Sequence, residues 1–127
     1  MSESEHKKYT IGIVGPCSAG KSSLIENLRQ YGYSGRHIAQ EHSQVPHMWK
    51  RIVDPIVLIY LDVSYTVSMK RRPLDMNSVE FDEQKNRLEH AFQNADLYLH
   101  TDHMTIQEVT DNVIVFLQDL DIPVQGS

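Results

Sequence analysis

The sequence predicts an α/β protein: a three-layer α/β/α domain in which helices cover both faces of a short parallel sheet of about four strands. Short apolar runs alternate with amphipathic segments along the chain, which is typical of strands and helices in alternation. Strands that are separated by helices pair in parallel through right-handed crossovers. The length of 127 residues suits one such domain.

Four short runs are predicted to form the strands, at residues 9–14, 36–41, 56–61 and 97–100. The first run is apolar and rich in β-branched residues, which favours a buried strand. The run at 56–61 (IVLIYL) is apolar at every position and follows Pro55. We therefore expect it to lie inside the sheet with both of its faces buried.

Helical periodicity and end signals predict five helices, at residues 20–31, 46–52, 64–72, 77–95 and 105–120. Ser64 is a candidate N-cap of the third helix. Asn77 and Glu80 fit a capping box at the start of the fourth helix. Thr105 and Glu108 fit the same pattern at the start of the fifth. The residues expected on the buried faces of the last two helices are Phe81, Leu88, Phe92 and Ala95, and Ile106, Val109, Val113, Phe116 and Leu120.

These segments predict one domain over residues 9–121, between an N-terminal tail at 1–8 that we expect to be disordered and a C-terminal tail at 122–127. A net charge of −5 without a basic run argues against a nucleic-acid-binding function. Cys17 is the single cysteine, so the chain can form no internal disulfide. With no apolar run long enough for a bilayer and no signal peptide before the first strand, we expect a cytoplasmic protein without a membrane partner.

Residues 15–22 read GPCSAGKS and fit GxxxxGK[ST], the Walker A pattern of a phosphate-binding loop. A predicted strand precedes the loop and a predicted helix follows it, which is the context that the pattern requires. Gly15 and Gly20 allow backbone turns that a Cβ would forbid, so that successive N–H groups face inward. The N-terminal end of the helix adds partial positive charge. The predicted anion is therefore a nucleoside triphosphate.

Within this loop, Lys21 is predicted to place its ammonium group against the β- and γ-phosphates, and Ser22 to offer its hydroxyl to Mg²⁺. Ser23 either contacts the α-phosphate or is an ordinary residue of the helix. Cys17 either is redox-sensitive beside the helix N-terminus or is a small side chain at a variable position. The predicted nucleotide-binding residues of the loop are Gly15, Pro16, Cys17, Ser18, Ala19, Gly20, Lys21, Ser22 and Ser23.

Two further roles stay open on the residues alone. A site of this kind needs a carboxylate near Mg²⁺ or near the attacking group, and two acids follow apolar runs, Glu41 and Asp62. Either could serve, or could be a surface acid at the end of a strand. Arg71 and Arg72 end the third helix, where a cation interacts favourably with the helix dipole. Phosphoryl transfer also uses mobile cations to stabilise charge, so both interpretations of the arginines remain.

The chain resembles the P-loop NTPases, and within them the small nucleoside and metabolite kinases such as the adenylate, shikimate and gluconate kinases. Besides the Walker A pattern, residues 58–72 (LIYLDVSYTVSMKRR) look like the kinase strand and helix that deliver arginines to a lid. Residues 95–117 (ADLYLHTDHMTIQEVTDNVIVFL) look like the last strand, the base-contacting loop and the closing helix. The resemblance covers nearly the whole chain and implies a P-loop NTPase fold.

The resemblance also implies roles for single residues. A lid-like segment near 70–87 would bring Arg71 and Arg72 over the phosphates as catalytic residues beside Lys21. Of the two acids, the one beside the Walker A strand is favoured. Glu41 would then be the general base or a ligand of Mg²⁺, together with Ser22.

The predicted function is transfer of the γ-phosphoryl group of Mg-ATP to a small metabolite or nucleoside. In the resembling kinases, the loop that corresponds to Thr101 and Asp102 contacts the base, and the lack of a guanine-type NKxD sequence favours ATP over GTP. The chain departs from these kinases before residue 56, where it has room for only one short strand and one short helix. The alternative is therefore a nucleotide-binding regulatory module or a slow ATPase without an acceptor site. Trp49 either forms an apolar wall of the acceptor site or covers the sheet, and a second copy of the chain could bury this side in an oligomer.

Overall fold

The computed structural model describes residues 9–73 and 75–124, in which four strands form one parallel sheet. The strands are β1 (Ile11–Val14), β2 (Gly35–His37), β3 (Val57–Asp62) and β4 (Leu97–His100). Their order across the sheet is β2-β1-β3-β4, and each neighbouring pair is parallel. The predictions of an α/β class and a four-stranded parallel sheet are therefore confirmed. The predicted tail at 1–8, and residues 125–127 of the tail at 122–127, lie outside the described residues.

Six α-helices connect or follow the strands in the described ranges: α1 (Lys21–Gln30), α2 (Met48–Ile52), α3 (Tyr65–Arg71), α4 (Ser78–Arg87), α5 (Glu89–Asn94) and α6 (Ile106–Asp119). A short 3-10 helix, Gln40–His42, lies between β2 and α2. Ser64 caps α3, and both predicted capping boxes, at the starts of α4 and α6, are present. None of the helices in these ranges has the length and hydropathy that crossing a bilayer requires.

Alternating side chains of β1 and β3 pack into two apolar clusters, because successive residues of a strand point to opposite faces. One cluster joins Ile13 and Ile59 to apolar residues of α1 and α6. The other joins Val14 and Tyr60 to Trp49 of α2 and to α5. Helices thus cover both faces of the sheet, an arrangement compatible with three layers. Of the two interpretations of Trp49, packing against the sheet is the one that the structure shows.

The second strand is shorter than the predicted run at 36–41. β2 pairs with β1 at only three positions, and the chain leaves the ladder after His37. Gln40, which is buried, explains the change of direction. Its side-chain amide donates to Val45 O at 2.8 Å and accepts from Trp49 N–H at 2.8 Å, which ties the turn to α2. Glu41 therefore lies on the 3-10 helix and not on a strand.

The single helix predicted at 77–95 is two helices, α4 and α5, which meet at Leu88. The N–H of Leu88 is shared between the carbonyls of Gln84 and Lys85, a pattern of helix ends. The carbonyl of Arg87 accepts a hydrogen bond from the side chain of Gln40 at 3.2 Å. A contact with the turn after β2, distant in sequence, thus accompanies the break.

The buried faces of α5 and α6 differ from the predicted ones near the ends of these helices. The predicted face residues that are instead exposed are Phe92, Ile106 and Leu120. Ala91 and Leu117, which were not expected, are buried in their place. Val109 in the first turn of α6 and Leu117 in its last turn belong to the apolar cluster, so the exposed Ile106 and Leu120 lie at the two ends of this buried face.

Candidate functional site

The loop between β1 and α1, residues 15–20, has the backbone that its glycines predict. Gly15 has a φ of 151°, and a Cβ at this position would lie 2.0 Å from the carbonyl oxygen of Leu61. Gly20 is the N-cap of α1 with a φ of 104°, and Ser18 also has a positive φ, 65°. Positive φ angles are typical of glycine and of tight turns, so the backbone of the loop turns sharply directly before α1.

The first turn of α1 offers backbone donors to a ligand. Leu24 N–H donates to Gly20 O at 3.0 Å, so the amides before it in α1 have no partner within the helix. The first turn of α1, all of it described, contains no acidic residue. No carboxylate of that turn therefore offsets the partial positive charge of the helix end.

Lys21 is buried at this helix end, with only 7% of its surface exposed. Its Nζ contacts the carbonyl oxygen of Gly15 and donates to Glu41 Oε2 at 2.7 Å. A buried ammonium needs such partners, because desolvation of an unpaired charge costs several kcal/mol. The predicted phosphate-binding lysine thus contacts the predicted catalytic acid.

Glu41 is 2% exposed and has two imidazoles near its paired oxygen. His37 Nε2 lies 3.4 Å and His42 Nε2 lies 3.8 Å from Glu41 Oε2. Burial opposes the ionised form of Glu41 most strongly, but the His37 imidazole and the Lys21 ammonium together outweigh it, and the pKa of Glu41 falls from 4.5 to about 2. Its other oxygen, Oε1, is buried and has no hydrogen-bond partner among the described residues.

Two cavities open on either side of the loop. The larger, of about 310 Å³, is lined by Cys17, Ser18, Gly20, Lys21, Ser22, Ser23, His37, Glu41, His42 and Arg72. The smaller, of about 200 Å³, is lined by Ser18, Ala19, Gly20, Ser23, Arg71, Thr101, Met104, Ile106 and Val109. They share Ser18, Gly20 and Ser23, so a ligand lying across the start of α1 could reach both.

The two arginines predicted for a lid lie at different cavities. Arg71 Nη1 donates to Ser18 O at 3.1 Å and lies 2.9 Å from Thr101 Oγ1, and its Nη2 contacts Thr101 O. Arg71 therefore joins the end of α3 to the loops after β1 and β4. Arg72 is exposed and lines the larger cavity beside Lys21 and Glu41.

Asp62, the second candidate acid, is occupied by other partners. Lys85 Nζ donates to its two oxygens at 2.8 and 3.0 Å, and Tyr98 Oη donates at 2.5 Å. Burial, followed by the hydrogen bond to the Asp62 carboxylate, raises the pKa of Tyr98. Asp62 lines neither cavity, and its contacts hold the end of β3 to α4 and β4.

Three of the predicted nucleotide-binding residues do not line these cavities: Gly15, Pro16 and Asp102. Gly15 acts through its carbonyl, which contacts Lys21. Asp102 Oδ1 accepts from Ser64 N–H at 2.8 Å, so it joins the loop after β4 to the start of α3. The remaining predicted residues of the loop, with Glu41 and Arg72, are brought together at the two cavities.

Gln84 and Ser68 contact the loop and were not predicted as site residues. Gln84 Oε1 accepts from Cys17 N–H at 3.2 Å, and Gln84 Nε2 lies 3.3 Å from Cys17 Sγ. Ser68 Oγ donates to Cys17 O at 3.0 Å. Gln84 lies three residues after Phe81 and four before Leu88, so it shares the apolar face of α4. A polar side chain on that face was the sequence signal that could have identified Gln84 as a residue with a specific buried contact.

No protein-family model matches the chain, and no curated protein sequence matches it significantly. Evidence for a function therefore comes from the geometry of the site. That geometry combines a tight loop at a helix N-terminus, a buried lysine, a buried carboxylate and an exposed arginine. One oxygen of the carboxylate has no hydrogen-bond partner in the described part of the chain. These groups suit an anionic ligand that carries its own divalent cation.

Proposed function

We propose that the chain binds Mg-ATP on a P-loop, in a P-loop NTPase fold, and transfers its γ-phosphoryl group to a small metabolite or nucleoside. The observation that carries this proposal is the position of Lys21. Its ammonium is buried at the N-terminus of α1, facing a cavity of about 310 Å³ that the loop residues also line. An ammonium, a helix end and unpaired amides at one place form a strong anion site.

The two cavities fit the two ends of a nucleotide. The larger contains the charged groups that the phosphates need, Lys21 and Arg72. The smaller has an apolar side formed by Met104, Ile106 and Val109, against which a base can pack. We propose that the triphosphate crosses the start of α1 between them. ATP is preferred over GTP because the sequence has no guanine-type NKxD segment.

The residues present fit a magnesium ion that arrives with the nucleotide. Mg²⁺ prefers oxygen ligands and keeps several waters. Ser22 offers a hydroxyl from the first turn of α1, and Glu41 offers the buried oxygen Oε1, which has no partner among the described residues. When bound, the cation would neutralise charge on the phosphates.

Three charged residues of the chain bind the phosphates, accept the proton and stabilise the developing charge. Lys21 moves from Glu41 to the phosphates when a nucleotide binds, because a polyanion offers it more negative charge than one carboxylate. Glu41 has two alternative roles, ligand of the cation or general base. As the base it does not hold the cation, so the departure of Lys21 removes one group that lowers its pKa and makes Glu41 a stronger base. It can then accept the proton of the acceptor's hydroxyl group. Arg72 stabilises the negative charge that develops on the phosphoryl oxygens.

A second candidate function is a nucleotide-binding module or slow ATPase without an acceptor. It is favoured by the short segment between α1 and β3, which holds only β2, the 3-10 helix and α2 in the structure. Trp49, which could have formed a wall for the acceptor, is instead packed under the sheet. A kinase of this size would accept only a small molecule, held between Glu41, His37 and His42.

Calorimetry with ATP, ADP and GTP, each with and without Mg²⁺, tests nucleotide binding. We expect saturable binding of Mg-ATP, and Lys21→Ala should weaken it at least about tenfold, because hydrogen bonds to charged groups are worth roughly 1.5–3 kcal/mol. Lys50→Ala, which removes an exposed lysine of α2, is the matched control and should bind like wild type. No heat at millimolar nucleotide, or equal binding by Lys21→Ala, would overturn the proposal.

Release of ADP, followed with and without a library of small hydroxylated metabolites and nucleosides, separates the two functions. Stimulation by one compound, with a phosphorylated product seen by mass spectrometry, supports phosphoryl transfer. Slow release that no compound accelerates supports the module or ATPase instead. Neither outcome of the ADP-release assay tests the nucleotide site itself, which is tested by the calorimetric binding experiment alone.

A further inference from the structure

The larger cavity also contains a cluster of possible metal ligands, and the proposed nucleotide binding does not need all of them. Atoms that can ligate a metal on Cys17, Glu41 and His42 all lie within 4.8 Å of one another. His37 Nε2 is 3.4 Å from the same carboxylate and lines the same cavity. A thiol, a carboxylate and two imidazoles thus face one space, although they come from the loop after β1, from β2 and from the 3-10 helix.

A second observation points to a ligand at this place. Glu41 is 2% exposed, and its Oε1 is buried without a hydrogen-bond partner among the described residues. A buried oxygen in this state costs roughly 1–3 kcal/mol, more when the group is charged. Its other oxygen already receives Lys21 Nζ at 2.7 Å, so the lysine leaves Oε1 unsatisfied.

We propose that Cys17, Glu41 and His42, with His37 as a fourth ligand, bind one zinc-class divalent cation. Sulfur, nitrogen and oxygen donors in this combination suit Zn²⁺, which takes four ligands at about 2.0–2.3 Å in a tetrahedron. Mg²⁺ and Ca²⁺ prefer oxygen ligands and would gain little from the thiol and the imidazoles. The donor atoms of Cys17, Glu41 and His42 lie within 4.8 Å of one another, so small side-chain rotations can bring these three to one cation. His37 Nε2, 3.4 Å from Glu41 Oε2, would complete the set by a rotation of its own.

The surroundings of the thiol fit this role. Zinc binds the thiolate and releases the thiol proton to solvent. Gln84 Nε2 lies 3.3 Å from Cys17 Sγ and is placed to donate to that thiolate, as outer-shell groups do in metal sites. Lys21 opposes the cation through charge repulsion, but its ammonium contacts Oε2, and the buried Oε1 has no hydrogen-bond partner among the described residues.

This cation would hold the phosphate-binding loop closed. It would join Cys17 of the loop to the 3-10 helix across the mouth of the larger cavity, and it would occupy the carboxylate that Mg²⁺ needs. Zinc and Mg-nucleotide should therefore compete. The zinc site does not depend on the proposed function, because its test contains no nucleotide.

The test is a titration of the full chain with Zn²⁺ in reducing buffer that contains excess Mg²⁺ and no nucleotide. We expect one equivalent to bind, and Cys17→Ser and His42→Gln each to weaken binding at least about tenfold by removing one ligand. His103→Gln is the matched control, because His103 is an exposed histidine after β4 that belongs to neither cavity. It should bind Zn²⁺ like wild type.

Co²⁺ provides a direct readout of the ligands, since thiolate coordination gives an intense charge-transfer absorption in the near ultraviolet. The band should appear in wild type and in His103→Gln, and should be absent in Cys17→Ser. Circular dichroism checks that each variant is folded, and His42→Gln changes an exposed side chain, so it keeps the test valid if Cys17→Ser does not fold. No saturable binding by wild type, or equal binding by wild type and folded His42→Gln, would overturn the proposal.

Discussion

The buried pair of Lys21 and Glu41 makes a specific prediction about stability and pH. Glu41 has a pKa of about 2 in the fold, against 4.5 for an ordinary glutamate. At about 1.4 kcal/mol per pH unit, this difference corresponds to about 3 kcal/mol of stability that the ionised carboxylate supplies. Because folding lowers the pKa, this contribution is complete above pH 4.5 and is lost as the pH falls toward 2.

Glu41→Gln removes the titrating group but keeps its size and one hydrogen-bond acceptor. We expect the variant to be about 3 kcal/mol less stable than wild type at pH 7, because Lys21 loses its counter-charge while it stays buried. At pH 3 the difference between the two proteins should fall to about 1.5 kcal/mol, since wild-type Glu41 is then almost fully protonated in the unfolded chain but still mostly ionised in the fold. Urea unfolding followed by circular dichroism between pH 7 and pH 3 measures both values.

The matched control is Glu26→Gln, which removes an exposed carboxylate paired with Arg29 on α1. Its stability curve should follow that of wild type at every pH, because exposed pairs of this kind contribute little. Other carboxylates also titrate in this range, but they are the same in both proteins, so the difference curve isolates Glu41. A difference between wild type and Glu41→Gln that stays constant from pH 7 to pH 3 would refute the reasoning.

Three further predictions concern the loop, the second acid and the exposed arginine. Gly15→Ala should cost about 3 kcal/mol or more in urea unfolding, because its Cβ would meet Leu61 O at 2.0 Å in addition to the strain of its positive φ. Gly20→Ala should cost only about 1–2 kcal/mol, the strain of its positive φ alone, because no atom lies within 4 Å of the added Cβ; equal costs would contradict this. Asp62→Asn should lower stability by roughly 1.5–3 kcal/mol, because the buried carboxylate accepts hydrogen bonds from Lys85 and Tyr98. It should leave the Kd for Mg-ATP unchanged in calorimetry, and a folded variant that no longer binds would transfer the role of working acid from Glu41 to Asp62. Arg72→Ala should lower the rate of ADP release about a hundredfold, because Arg72 stabilises the charge that develops during phosphoryl transfer. The Kd for Mg-ATP should stay within about threefold of the wild-type value, and an unchanged rate would remove Arg72 from the mechanism.

Local sequence signals predicted those parts of the fold that depend on neighbouring residues. The strand at 97–100 and both capping boxes are confirmed with their bounds, because their determinants lie within a few positions of each other. The loop at 15–20 adopts left-handed backbone at Gly15 and Gly20, as their freedom from a Cβ indicates.

The wrong predictions concern segments whose ends are determined by side-chain contacts from outside the segment. β2 stops after His37, and the predicted helix at 77–95 breaks at Leu88; both features involve the side chain of Gln40, which reaches Val45 and Arg87. The bond to Val45 spans only five residues, but the bond to Arg87 spans 47, and no pattern near position 88 indicates it. The same applies to the site, where the loop, the arginine and the acid were predicted but the pairing of Lys21 with Glu41 was not.

The contacts of Cys17 and Arg71 bear on how a lid over residues 70–87 would have to work. Within this segment, Gln84 holds Cys17 from α4, and Arg71 holds Ser18 from the end of α3. A lid that moved as one body would break all of these hydrogen bonds, each worth roughly 1 kcal/mol, so the open form would be a minor population. Arg72 has a different position, because its side chain already lines the larger cavity. A change of the Arg72 rotamer over the proposed phosphate site therefore needs less free energy than the opening and closing of the whole segment, and it would serve the same electrostatic purpose.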